Sequence, residues 1–182
     1  MSATARVTPP VSSPRRLRWR RWTIVLLVLC FLALRAQWFA KLAPLQNLTE
    51  GEYQVERVID GDTLLLANGR RVRLIGVNCP ETSHPQRGIE PFGPEAKEFT
   101  RRLLDEHAQS VTLRFDRERF DNYERYLAFV WVGDELLNDA LLREGLARWE
   151  SHFNYSASLK TRFRKTELAA REARRGVWSS IP

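Results

Sequence analysis

Hydrophobic and polar positions follow three different patterns along this chain. Up to Arg21 there is no apolar periodicity, only Pro, Ser, Thr and Arg, a composition that cannot bury a core and predicts a disordered cationic tail over residues 1–21. Trp22 to Leu34 is then apolar without a break. From Tyr53 onward, short β-branched and aliphatic runs alternate with turn residues, and later with longer segments of helical period.

The early strand pattern is specific. Tyr53 to Ile59 and Thr63 to Ala67 are two such runs, followed by Asn68-Gly69 and then Arg70 to Val77. Asn-Gly between two apolar runs predicts a hairpin with a type I′ turn, because both residues tolerate positive φ. Three antiparallel strands in series are expected. Gly93-Pro94-Glu95 opens a helix that carries Ala96, Phe99, Leu103 and Leu104 on one face and ends near His107. Ser110 to Phe115 and Tyr126 to Val132 read as two further strands, with Gly133-Asp134 as a turn. Leu137 to Arg143 before Gly145 predicts a short helix, and Leu159 to Arg174 before Gly176 a third, with Trp178 packed beneath it. The expected fold class is α+β, a small antiparallel barrel of five strands with three helices.

The apolar run before this domain carries an address. Trp22 to Leu34 alone falls short of the ~20 residues that span a bilayer and would suit a signal-peptide core. Extension to Ala40 brings it close to spanning length, with Arg35 able to snorkel and Trp19, Trp22, Trp38 and Phe39 placed as interfacial aromatics. No small-x-small cleavage pattern follows. A retained transmembrane signal anchor over residues 22–40 is therefore preferred to a cleaved signal, with residues 41–50 as a tether and residues 51–182 as the domain. Six arginines precede the run, so residues 1–21 should stay cytoplasmic and the domain should face outward.

Charge changes meaning once it is located. The chain holds 29 Lys and Arg against 22 Asp and Glu, a net charge of +7. Eight of the bases and only Glu50 of the acids precede Gly51, which leaves 21 of each sign in residues 51–182. The basic excess belongs to the N-terminal segment and says nothing about a nucleic-acid surface on the domain. Cys30 lies in the apolar run and Cys79 in the domain, so they are not expected to pair, and the fold must stand without a disulfide.

The candidate chemistry sits on two loops. Asp60-Gly61-Asp62-Thr63 joins the first two strands, and Asn78-Cys79-Pro80-Glu81-Thr82 follows the third. In an antiparallel meander these lie side by side, which brings Asp62, Asn78 and Glu81 into one oxygen-rich pocket. A hard cation such as Ca²⁺ could be shared there by Asp62, the Asn78 side-chain oxygen and the Cys79 main-chain carbonyl, with waters. Arg73 belongs to the strand that ends at the pocket, and Arg125 begins the fifth strand. Guanidiniums bind phosphate oxygens bidentately without losing their proton, and Glu81 could orient or deprotonate a water. These are the ingredients of phosphodiester hydrolysis. Singly, each has a plainer reading: a solvated turn, a strand arginine paired to a surface acid, the start of a loop.

Order and spacing together decide between these readings. Val58-Ile-Asp-Gly-Asp-Thr63, Arg73-Leu-Ile-Gly-Val77, Pro80-Glu-Thr82, His84-Pro85, Gly93-Pro-Glu-Ala96, Asp121-Asn-Tyr-Glu-Arg125, Asn138-Asp-Ala-Leu141, Gly145-Leu-Ala147 and Trp178 resemble the staphylococcal (thermonuclease-type) nuclease family over residues 53–178. The resemblance implies an OB-fold barrel and a Ca²⁺-dependent nuclease cutting DNA or RNA to 3′-phosphates. By position it implies Asp62 as metal ligand, Arg73 and Arg125 on the phosphate, Glu81 as the catalytic carboxylate, Asp60 as a supporting acid, and Tyr123 and Arg87 as substrate contacts. The chain also departs from that family. Asn78 stands where a second aspartate is usual, Cys79 replaces a small or hydroxyl residue, and Glu124 occupies a glycine position. The stacking tyrosines expected around Ser151 and Phe153 are not both aromatic, which leaves Trp149, Phe153 or Tyr155 as substitutes. The rival expectation is a noncatalytic nucleic-acid-binding module on the same barrel that captures or takes up DNA; on either reading the chain is expected to be monomeric.

Overall fold

A computed structural model describes residues 27–31, 47–83 and 88–179 and divides the chain into two units, Met1–Pro44 and Leu45–Pro182. In the first, residues 27–31 are helical and exposed; the rest of the expected anchor, the tail, and Arg87 lie outside the described residues. Among the described residues no helix is long and apolar enough to cross a membrane.

The second unit is an α+β barrel. Its strands are β1 (Gly51–Asp60), β2 (Thr63–Leu66), β3 (Arg71–Leu74), β4 (Val77–Asn78), β5 (Ser110–Arg114), β6 (Tyr126–Val132), β7 (Glu135–Leu136) and β8 (Arg148–Trp149). Its helices are α1 (Gly93–Asp105), α2 (Leu137–Arg143) and α3 (Ala157–Glu172), and a 3₁₀ turn at Gly176–Trp178 closes the described chain. The sheet runs β3-β2-β1-β5-β6-β7, and β3 also pairs with β6, which closes five strands into a barrel. The long first strand makes this possible. Residues 51–54 pair with β5, residues 55–60 pair with β2, and two register shifts in the second half bend the strand between its neighbours.

The expected helices and strands are present, with three differences. The closing pair, β3 with β6, is parallel rather than antiparallel, because four successive antiparallel pairings, from β3 through β2, β1 and β5 to β6, return β6 to the direction of β3. The β2–β3 turn is not type I′: only Gly69 has positive φ (79°), while the Asn68 carboxamide accepts from Arg70 N–H at 3.1 Å. That is a type I turn followed by a left-handed glycine, which needs one special residue instead of two. Third, the domain begins before Gly51. Leu48 is buried at 2% exposure, and its neighbour Asn47 accepts from the Tyr126 hydroxyl, so residues 47–50 dock on the barrel, while residues 41–46 of the expected tether lie outside the described residues.

The core fills the barrel and the layer beneath the helices. Leu64, Leu66, Val72, Leu74, Val111, Leu113 and Leu127 are fully buried. β6 is buried along almost its whole length because α2 covers its outer face. α1 is fastened to the β1–β2 turn: Thr100 Oγ1 donates to Gly61 carbonyl at 2.7 Å, and a Cβ on Gly61 would lie 2.7 Å from Ala96 Cβ. Only glycine allows this approach, which seats the Asp60-Gly61-Asp62 turn on a rigid helix. Asn138 at the start of α2 does the same behind β3. It accepts from Val130 N–H at 3.0 Å and donates to Ile75 carbonyl at 2.9 Å, with no exposure.

Candidate active site

Asp62 is the hub of the site. It is only 4% exposed, yet charged groups surround it. Its Oδ1 accepts from Thr63 Oγ1 at 2.9 Å, and its Oδ2 accepts from Cys79 N–H at 2.6 Å and pairs with Arg73 Nη1 at 2.9 Å. Strand pairing explains the convergence: Thr63 faces Arg73 across β2–β3, and Leu74 N–H donates to Asp62 carbonyl.

Arg73 is buried and held on all sides. Nη1 also donates to the carbonyls of Val77 at 2.7 Å and Leu74 at 3.2 Å. Nη2 donates to Asn78 Oδ1 at 2.8 Å, and Glu150 Oε2 stands 3.9 Å from the same nitrogen. A guanidinium has the fixed fork that such an arrangement requires; an ammonium does not.

Glu81 is placed by its neighbours. Two residues before it, Cys79 is tied to Asp62; one residue after it, Thr82 donates through its amide and hydroxyl to Asp60 Oδ1. The Glu81 carbonyl accepts from Glu90 N–H and abuts Gly93, where a Cβ would meet it at 2.6 Å. Its side chain is exposed and makes no hydrogen bond or ion pair with a described residue. A free carboxylate on a backbone anchored at both sides is what a water-activating base needs.

Arg125 stands one strand over, since β3 and β6 pair with Arg73 opposite Leu127. It does not touch the Asp62 cluster. Its Nε donates to Asp121 Oδ2 at 2.6 Å, and its guanidinium lies over the Tyr123 ring at 5.3 Å from the centroid. Asp121 Oδ1 accepts from the amides of Tyr123 and Arg125, making a compact turn that presents Tyr123 at 72% exposure. Burial pushes the Asp121 carboxyl upward, but hydrogen bonds from the Arg125 amide and guanidinium and from the Tyr123 amide, with the Arg125 charge, outweigh it. Its pKa falls below the usual carboxylate range.

The donor set suits a hard cation. Asp62 uses three of about four acceptor positions and Asn78 Oδ1 one of two, so each retains a lone pair. The Cys79 thiol is not a ligand. It is buried against Gly61, and burial and the neighbouring Asp62 hold its pKa well above the ordinary thiol value, so it stays protonated. The set is also thin. Among the described residues no three His, Cys, Asp or Glu side chains gather as a metal cluster, which leaves one carboxylate, one amide, one carbonyl and water.

Two sequence expectations fail here. Tyr155 and Phe153 are buried, Tyr155 between Phe129 and Phe163, so neither offers a face to a base. Among the described residues of the domain, the exposed aromatics are Tyr123 and Phe120 on the loop before β6. The sequence reading also missed Glu150 and Asn138. Glu150 follows a strand of two residues, too short for any periodicity to mark; Asn138 stood in a matching segment without a stated role.

A barrel that carries a carboxylate–arginine cluster, a second arginine one strand over and an exposed carboxylate has the groups that phosphate binding calls for. A family model described as staphylococcal nuclease homologue matches residues 71–180, and the chain belongs to that family. It is 34% identical over 165 residues to a thermonuclease of Staphylococcus hyicus, covering 86% of this chain and 96% of that protein. It is 50% identical over 99 residues to a thermonuclease of Staphylococcus intermedius, covering 53% of this chain and 58% of that one. Endonuclease YncB of Bacillus subtilis (strain 168) is 33% identical over 129 residues, covering 69% of this chain and 60% of YncB.

Proposed function

We propose that the chain is a Ca²⁺-dependent nuclease that cuts DNA or RNA to 3′-phosphates while tethered by residues 22–40 on the outer face of a membrane. That it is a phosphodiester-hydrolysing enzyme follows from its family and its thermonuclease and endonuclease relatives. The observation that carries the finer reading is the rim itself. Asp62, Arg73 and Asn78 form one bonded cluster, and Glu81 is fixed beside it by the anchors at Cys79 and Thr82.

Asp62, Asn78 and the Cys79 carbonyl would hold the cation, which when bound withdraws charge from the scissile phosphate. Glu81 accepts a proton from a water whose oxygen then bonds to phosphorus. The P–O5′ bond breaks, and the leaving oxygen takes its proton from solvent. Arg73 and Arg125 offset the charge that gathers on the phosphoryl oxygens, Arg125 after leaving Asp121. Tyr123 contacts the substrate, and Arg87, which lies outside the described residues, supplies a further positive charge to it.

The test is digestion of labelled single- and double-stranded DNA and RNA with Ca²⁺ or EDTA. Cleavage should need Ca²⁺, and Glu81→Gln should lower the rate at least ~10²-fold. Retention of label without cleavage would establish the capture module instead. The tether is checked by alkaline extraction of membranes, which should leave the full chain in the pellet.

A further inference from the structure

We propose that Glu150 is a further member of this site, supplying a negative charge that the bonded cluster lacks and that a divalent cation there requires. The inference rests on the Ca²⁺ reading above.

The charges of the cluster are easily followed. Asp62 is matched by Arg73 at 2.9 Å, and Asn78 is neutral, so those three groups together carry no net charge. Asp60 adds one negative charge from the side of the Thr82 loop. Glu150 adds another, 3.9 Å from the Arg73 nitrogen that Asn78 also accepts from. With it the site carries one more negative charge than without it, and a doubly charged ion responds to that difference at short range.

The carboxylate is there by construction. β4 pairs antiparallel with β8, Val77 opposite Trp149 and Asn78 opposite Arg148, so Glu150 falls opposite Gly76 and donates its N–H to Gly76 carbonyl at 3.0 Å. Trp149 N–H donates to Glu167 Oε1 on α3 at 3.0 Å, and Tyr155 hydroxyl donates to Glu150 carbonyl at 3.3 Å. Three backbone anchors therefore aim a side chain that is 27% exposed at the rim beside Arg73. No hydrogen bond of the strand pair uses the Glu150 carboxylate, and its ion-pair partner is Arg73 of the site itself. The short β8 thus places at position 150 the acid that position 78 does not carry.

Calorimetric titration of the full chain with Ca²⁺ tests this without turnover. Glu150→Gln keeps volume and backbone bonds and should weaken Ca²⁺ about tenfold. Adding Asn78→Asp to Glu150→Gln should restore affinity to within about threefold of the parent, since it returns the charge at the neighbouring position. Affinity of Glu150→Gln within twofold of the parent would overturn the inference while leaving the Ca²⁺ reading intact. A double variant that stays as weak as Glu150→Gln would overturn it as well, by assigning the loss to the strand pair. A parent chain that takes up no Ca²⁺ would remove the metal reading and this inference together.

Discussion

Glu124 holds a backbone φ of 58°, a region that side chains with a Cβ enter at a cost of roughly 1–2 kcal/mol. It does so because Asp121 binds the amides of Tyr123 and Arg125, and Glu124 N–H itself donates to Asp121 carbonyl, so the turn leaves no other conformation. Glu124→Gly should relieve the strain but adds freedom to the unfolded chain, for a net gain of about 0.5–1 kcal/mol by denaturant unfolding. Arg73 presents the opposite case. Arg73→Lys leaves Asp62 buried beside a charge that cannot satisfy Val77, Leu74 and Asn78 as well, and should cost about 3 kcal/mol of stability. Its rate, measured well below its own unfolding transition, should also fall about 10²-fold or more. A lysine variant that unfolds early but turns over normally would make Arg73 a structural cation only.

At the scale of the element, the loop before β6 is a small acid-sensitive device. The Asp121 pKa is lowered in the folded chain, so its contribution to stability is complete above the ordinary carboxylate pKa and is lost as pH falls through the lowered value. Stability should therefore drop on the acid side of about pH 4, and Asp121→Asn should flatten that limb while lowering stability near neutrality. A parallel fall in both proteins would place the acid sensitivity elsewhere. The elements that the sequence made legible are those with period and punctuation: α1 with Pro94 inside its first turn, the β1–β2–β3 meander with Gly69, and α3 before Gly176. Asp62, Arg73, Asn78 and Cys79 were readable as a group because meander register alone brings them together. What stayed hidden depends on contacts without local pattern. β4 and β8 have two residues each, so neither the Glu150 approach nor the burial of Tyr155 leaves a periodic trace. That β3 closes on β6 at all likewise depends on the bend in β1, through register shifts that composition does not announce.

At the scale of the molecule, the site and the fold share one set of bonds, so cation binding and stability should be linked. Asp62 joins the β1–β2 turn to Cys79 and β3, Asp60 joins it to Thr82, and Thr100 joins it to α1. An ion held by Asp62 and Asn78, as proposed, would bind the folded barrel and not the open chain. Ca²⁺ at about 100 times its dissociation constant should then add ~2.7 kcal/mol. For a chain of this size that raises Tm by roughly 5–10 °C, and EDTA should reverse it. Under the proposed mechanism Glu81 would separate holding from cutting, because its side chain is exposed and outside the bonded cluster. Glu81→Gln should therefore keep the full Ca²⁺-dependent rise in Tm while losing turnover. If the rise disappears together with activity, Glu81 belongs among the groups that hold the cation, and the water must be activated by another residue.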